Sequence, residues 1–169
     1  MTSTVAATNL ATVSNSSQPR PEALESWAEG RIKPGARARP ASARAEADYF
    51  VERDGLRYAG THLLIDLWGA SRLEDLALAE ATLREAVDAV GATLLHVHVH
   101  HFAPNGGVSG VAVLAESHIS VHTWPETGYA ALDIFVCGEC DVYAAIPVLC
   151  RAWRPEEVRL SEHRRGLAG

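Results

Sequence analysis

Residues 114–140, LAESHISVHTWPETGYAALDIFVCGEC, contain two short apolar runs joined by the turn WPETG, and how these runs fold decides the architecture. HISVHTW and YAALDIFVCG have the length and the β-branched and aromatic content of strands, and the Pro- and Gly-containing segment between them is a turn. The same stretch brings together Ser117, His118, His122 and Cys137, a hydroxyl, two imidazoles and a thiol. These are the side chains of acid–base and nucleophilic chemistry. Ser117 follows Glu116 directly, so its hydroxyl lies within reach of its own preceding peptide bond.

Working outward, GVAVLAES is a further strand, preceded by the turn APNGGVSG, whose two glycines reach positive φ at little cost. In TLLHVHVHHF, from Thr93 to Phe102, Leu95, Val97 and Val99 alternate with His96, His98 and His100, which predicts a strand with one covered face. SRLEDLALAEATLREAVDAVG places Leu73, Leu76, Leu78, Ala81, Leu83, Ala86, Val87 and Val90 at helical spacing, with Ser71 as the expected N-cap and Gly91 after the end. THLLIDLWG, Thr61 to Gly69, reads as the first strand. Downstream, Asp141 to Trp153 reads as a second helix whose Pro147 marks a kink or a late first turn, and Glu157 to Ser161 as a last short strand.

The order strand, helix, four strands, helix, strand predicts an α+β fold. Its form is a two-layer α/β sandwich with a mainly antiparallel sheet covered by helices on one face. A doubly wound nucleotide-binding fold is not expected, because the elements do not alternate and neither a G-x-G-x-x-G motif nor a P-loop is present. Residues 1–57 differ in composition: Ser, Thr, Ala, Pro and Arg dominate, and GRIKPGARARPASARAEA has no sustained period. Such a segment buries too little apolar surface to offset its ordering entropy. It is expected to be a weakly structured extension with a short helix around Pro21 to Glu29, followed by a folded domain over 58–169.

With 169 residues, 47% hydrophobic and 21% charged, the chain suits one globular domain of ordinary size. A net charge of −6 leaves no basic footprint, so nucleic acid is not an expected partner. No run approaches the roughly 20 apolar residues that span a bilayer, and the first fifteen residues lack the basic start and apolar centre of a secretory signal. An odd count of three cysteines then favours reduced thiols in the cytoplasm.

Several chemistries are open to these residues. The face bearing His96, His98 and His100, with Cys137 and Cys140 of the C-x-x-C pair, is a conceivable zinc site of a non-enzymatic binding module. A lone C-x-x-C is a weak metal signal, however, and a partly buried histidine face accounts for the strand more simply. A thioredoxin-like role lacks its βαβ setting. A hydrolase built from Ser117, His122 and Asp133 lacks the G-x-S-x-G elbow. Cys150, on an apolar helical face, reads as structural.

Residues 107–138, GVSGVAVLAESHISVHTWPETGYAALDIFVCG, resemble the processing and active-site region of the prokaryotic pyruvoyl-dependent S-adenosylmethionine decarboxylases. THLLIDLWG and the HHF run extend the likeness over about Tyr58 to Trp153, although the turn after Phe102 is one residue longer than the family's F-x-P-x-G-V-S-G. The resemblance implies a proenzyme that cuts itself between Glu116 and Ser117, converting Ser117 into a pyruvoyl group whose carbonyl serves as an electron sink for decarboxylation. It implies that His122 and Ser109 serve processing and that Cys137 is the later general acid. It further implies that Glu126 and Phe102 contact the substrate, that no metal is required, and that the processed protomers form a homodimer. The implied product is the aminopropyl donor for spermidine synthesis. Ornithine or arginine is the alternative substrate on the same fold. Cys137 and His122 are expected near Ser117 in space, and Ser109 on the neighbouring strand.

Overall fold

The computed structural model describes residues 50–168. In chain order the elements are β1 (Val51–Arg53), β2 (Leu56–Tyr58), β3 (Gly60–Trp68), α1 (Leu76–Val90), β4 (Leu94–His101), β5 (Val108–Leu114), β6 (Ser117–Trp124), β7 (Tyr129–Cys137), α2 (Ile146–Trp153) and β8 (Glu157–Arg165). Short 3₁₀ turns cover Pro125–Thr127 and Val142–Ala145. The main sheet has the order β4-β5-β6-β7-β3-β8, and every neighbouring pair is antiparallel. This is the predicted two-layer α+β sandwich. Among the described residues no helix is long and apolar enough to cross a membrane.

Strand alternation sorts the sheet into two unlike faces. Leu63, Ile65 and Leu67 of β3, Ile119 and Val121 of β6, and Leu132, Ile134 and Val136 of β7 are buried against the helices. α1 answers them with Ala79, Thr82, Leu83, Ala86, Val87 and Val90, a stripe at three- and four-residue spacing. Burying a side chain such as Leu83 contributes about 1.5–3 kcal/mol before entropy is counted. The alternate positions, including His62, Asp66, His118, Ser120, His122 and Asp133, lie on the opposite face, which no described element covers.

Several expectations change in detail. α1 is capped by Asp75, whose carboxylate accepts from the Leu78 N–H at 2.9 Å, and not by Ser71. The intervening residues form a turn that seats Leu73 in the core, while the Ser71 hydroxyl donates to the Trp153 carbonyl. Gly91 closes the helix in the left-handed conformation at φ 75°. In β4 the register shifts between Leu94 and His96, so Leu95 stays 63% exposed instead of joining Val97 and Val99 on the covered face. β8 continues past Ser161 to Arg165 because it pairs with β3 along its whole length. Pro147 lies in the first turn of α2, after the 3₁₀ turn.

The expected domain limit at residue 57 falls inside described structure. β1 and β2 form a hairpin across Asp54-Gly55, both at positive φ (54° and 72°), the geometry a two-residue Asp-Gly turn provides. It is fastened to β8 by Asp54 accepting from Arg164 at 3.0 Å, by Ala59 N–H donating to the Arg165 carbonyl, and by the buried ring of Tyr58 under the Arg164 guanidinium. The strands are short and polar, which hides them from a search for apolar runs. The helix expected at Pro21 to Glu29 lies outside the described residues.

Candidate active site

The Glu116–Ser117 peptide sits where the two-residue turn between β5 and β6 re-enters the sheet, with Leu114 paired to Ser117. The buried Glu116 carboxylate anchors this turn: it accepts from Thr93 N–H at 2.8 Å and from Thr93 Oγ1 at 3.2 Å. Ala115 N–H donates in return to the Thr93 carbonyl at 3.0 Å. The turn is thereby fixed to the segment entering β4 by the two residues that precede the Glu116–Ser117 bond.

The carbonyl of that bond is already polarised. The Glu116 oxygen accepts from the Cys137 N–H at 3.2 Å and from the Cys137 Sγ–H at 3.2 Å. Burial, and then the nearby Glu116 charge, push the Cys137 thiol above its ordinary range, so near neutrality it is a protonated donor. Two donors on one carbonyl oxygen are the arrangement that stabilises an oxyanion. Cys137 ends β7 opposite Gly60, where a Cβ would come within 2.5 Å of the Val136 carbonyl oxygen. Only glycine permits that approach of the two backbones.

Ser117 has φ 148°, a conformation that non-glycine residues rarely hold and that costs of order 1–3 kcal/mol. Its Oγ lies 3.2 Å from His118 Nδ1. His118 Nε2 is 3.1 Å from Asp133 Oδ1, His62 Nε2 is 3.2 Å from the same oxygen, and the Ser120 hydroxyl donates to Asp133 Oδ2. Burial opposes ionisation of Asp133, but the hydrogen bonds from Ser120, His62 and His118 outweigh it and hold the carboxyl below its ordinary range.

Ser109 and His122 face each other across β5 and β6, with the Ser109 hydroxyl bonded to His122 Nδ1. They sit at the other end of the sheet: His122 is five positions along β6 from Ser117, about 16 Å of strand. Phe102 belongs to this end too, its ring 4.7 Å from His100, which pairs with Ser109. Glu126 lies in the exposed 3₁₀ turn just beyond β6. Within one chain the structure therefore brings Glu116, Ser117 and Cys137 together, and Ser109 with His122, as two separate clusters. The expected proximity of His122 to Ser117 is not found, because the extended strand keeps them apart, whereas Ser109 does lie on the strand next to that of Ser117.

The other constellations come apart. Asp133 binds His118 and not His122, so no Ser117–His122–Asp133 triad forms. The histidines of β4 are separated from Cys137 by β5 and β6, about 14 Å across the sheet, too far to share an ion. Among the described residues no group of three or more His, Cys, Asp or Glu side chains could hold a metal. Among the described residues Cys137, Cys140 and Cys150 form no disulfide. Cys140 turns away toward the Gly91 carbonyl, and burial raises Cys150 to about 11.

His62 and Ser120 are hidden from sequence reasoning, which notes His118 as a reactive imidazole but gives it no role. Strand alternation sends Ser117 and His118 to opposite faces, and only the unusual Ser117 φ overrides it. Thr93 gave no signal, since its partner Glu116 is 23 residues away.

Residues 61–166 match the family described as S-adenosylmethionine decarboxylase. The chain is similar to the S-adenosylmethionine decarboxylase proenzyme of Thermomicrobium roseum, 44% identical over 113 residues that cover 66% of this chain and 97% of that protein. It is likewise similar to the proenzyme of Methanococcus vannielii, 46% identical over 115 residues covering 66% and 93%. Among solved structures, the adenosylmethionine decarboxylase of Aquifex aeolicus superposes with a TM-score of 0.57 at 35% identity, covering 66% of this chain and 94% of that one.

Proposed function

The chain belongs to the S-adenosylmethionine decarboxylase family, and we propose that it is a proenzyme that cuts itself between Glu116 and Ser117 to become a pyruvoyl-dependent decarboxylase of S-adenosylmethionine. The observation that carries this reading is the Glu116 carbonyl, held by the N–H and S–H of Cys137 and followed directly by a strained serine. An ordinary hairpin has no use for either feature.

The self-processing steps follow from these groups. Ser117 Oγ attacks the Glu116 carbonyl carbon, and the peptide is exchanged for an ester. The distorted Ser117 backbone is relieved in the same step, so its strain lowers the barrier. Loss of the Ser117 α-proton then expels the Glu116 carboxylate, and water converts the residual dehydroalanine into a pyruvoyl group and ammonia. Residue 117 fits that role because it lies beside a protonated thiol and at the start of a strand paired on both sides, so the new chain end stays anchored. The pyruvoyl carbonyl supplies the electron sink for loss of carbon dioxide. Cys137 then holds the proton to be delivered to the substrate carbon, since its position beside residue 117 and its raised affinity for that proton suit a general acid.

Ser109, His122, Phe102 and Glu126 gather at the other end of the uncovered sheet face. A homodimer with two such faces related by a two-fold axis would set this end of one protomer against Ser117 of its partner. Exposed Leu64, Val113 and Trp124 on that face supply the apolar surface for such a contact. His122, oriented by its bonded serine, would then take the Ser117 α-proton across the interface, with Phe102 and Glu126 offering an aromatic face and a carboxylate to a cationic nucleoside. Cytoplasmic residence suits three cysteines outside any disulfide among the described residues. The relatives' names give no support to ornithine or arginine as substrate.

Carbon dioxide release from S-adenosylmethionine, ornithine and arginine tests the substrate, with release expected from the first alone. Denaturing mass spectrometry of the same sample tests the cut, with chains of residues 1–116 and 117–169 expected, the second carrying a pyruvoyl terminus. A chain that stays intact, or release only from another amino acid, overturns the proposal.

A further inference from the structure

We propose that His118, oriented by Asp133, is the base that takes the Ser117 hydroxyl proton in self-cleavage and returns it to the departing amine. The inference rests on the self-cleaving reading above and assigns its first step. His118 is the imidazole that touches the nucleophile, at 3.2 Å, whereas His122 is engaged by Ser109 further along β6. The contact exists because φ 148° at Ser117 turns its hydroxyl toward the face on which His118 lies.

Asp133 sets which nitrogen is free. An ionised carboxylate only accepts, so its contact with His118 Nε2 keeps the proton there and leaves the Nδ1 lone pair directed at Ser117 Oγ. The carboxylate is itself held by Ser120 on one oxygen and shared with His62 on the other, and these contacts keep it charged. An ionised Asp133 also stabilises the imidazolium that forms during the reaction. Asp133, Ser120 and His62 are thus positioning residues, and His118 is the catalytic one.

The step balances without a co-reactant. As the Oγ–C bond forms, the hydroxyl proton passes to His118 Nδ1 and the Glu116 carbonyl electrons move onto its oxygen, held by the Cys137 N–H and S–H. As the C–N bond breaks, the carbonyl re-forms and the proton moves from the imidazolium to the Ser117 nitrogen. An ester and a free amine result, and His118 returns to its starting state.

Esters are cut by neutral hydroxylamine and peptide bonds are not, which isolates this step from those that follow. Freshly refolded full-length chains are incubated with and without hydroxylamine and followed by denaturing mass spectrometry, with far-ultraviolet circular dichroism as a fold control. His118→Ala is expected to slow both spontaneous and hydroxylamine-induced cleavage about 10²–10⁴-fold, with partial recovery when imidazole is added. Asp133→Asn, similar in shape but uncharged, is expected to slow both by about tenfold or more. Cleavage of either folded variant at the unaltered rate overturns the inference, as does a His118→Ala chain that imidazole does not rescue. If the unaltered chain is never cut, self-cleavage itself fails; if it is cut and His118→Ala is cut equally fast, only the role of His118 fails.

Discussion

Cys137 contacts the Glu116 carbonyl oxygen through two atoms with separable fates under mutation. Substitution by alanine removes the thiol but leaves the backbone N–H donor on the Glu116 oxygen. Cys137→Ala is therefore expected to retain cleavage, slowed by about 10²–10³-fold for the loss of one oxyanion donor, and to lose decarboxylation once cut because the proton donor is gone. Ser117→Ala is expected to lose both. Time-resolved denaturing mass spectrometry beside a carbon dioxide assay checks the pair, and equal loss of cleavage in the two variants contradicts this division of roles. Ser117, Cys137 and Glu116 were recognisable from their motif, since local order along the chain preserves it. The hydrogen bonds of Thr93 and His62 depend on strands brought together from 23 and 71 residues away, and a linear pattern carries no trace of them.

At the scale of the element, the turn between β5 and β6 acts as a clamp, with its carboxylate tied to the entry of β4 and its carbonyl tied to the end of β7. That entry follows α1, so the placement of the helix carries through to the Glu116–Ser117 bond. α1 is capped by Asp75, and Asp75→Ala is expected to lower the urea unfolding midpoint, whereas Ser71→Ala leaves the cap in place. Urea denaturation of a Ser117→Ala background, which removes cleavage as a complication, measures both; a larger loss at Ser71 would contradict the cap assignment. The helix, its glycine terminator and the strands flanking WPETG were legible because periodicity and cap chemistry are local. The bulge at Leu95 was not, since it arises from pairing β4 to β5 and not from the composition of β4.

For the whole molecule, the sheet buries one face and leaves the other bare, with two reactive clusters at opposite ends of the bare face. If a second copy covers it, a chain lacking His122 can still be cut by the histidine of a partner whose own serine is missing. Co-expressing His122→Ala with Ser117→Ala is expected to yield cleavage of the His122→Ala chain, where either variant alone stays largely intact. Absence of cut product from the mixed dimer contradicts the shared site. Leu64→Asp, a charge in the middle of the same face, is expected to shift the protein toward monomer in analytical ultracentrifugation.

By itself the sequence determined the α+β architecture and the turns at APNGGVSG and WPETG, and it singled out the Glu116–Ser117 bond proposed for cleavage, because each depends on residues close together along the chain. The tertiary structure alone decided which imidazole meets Ser117. Strand alternation assigns Ser117 and His118 to opposite faces, and a single backbone angle reverses that; strand extension carries His122 beyond reach, although its motif places it only five residues away. Proximity along an extended chain is not proximity in space, since each strand residue advances about 3.3 Å.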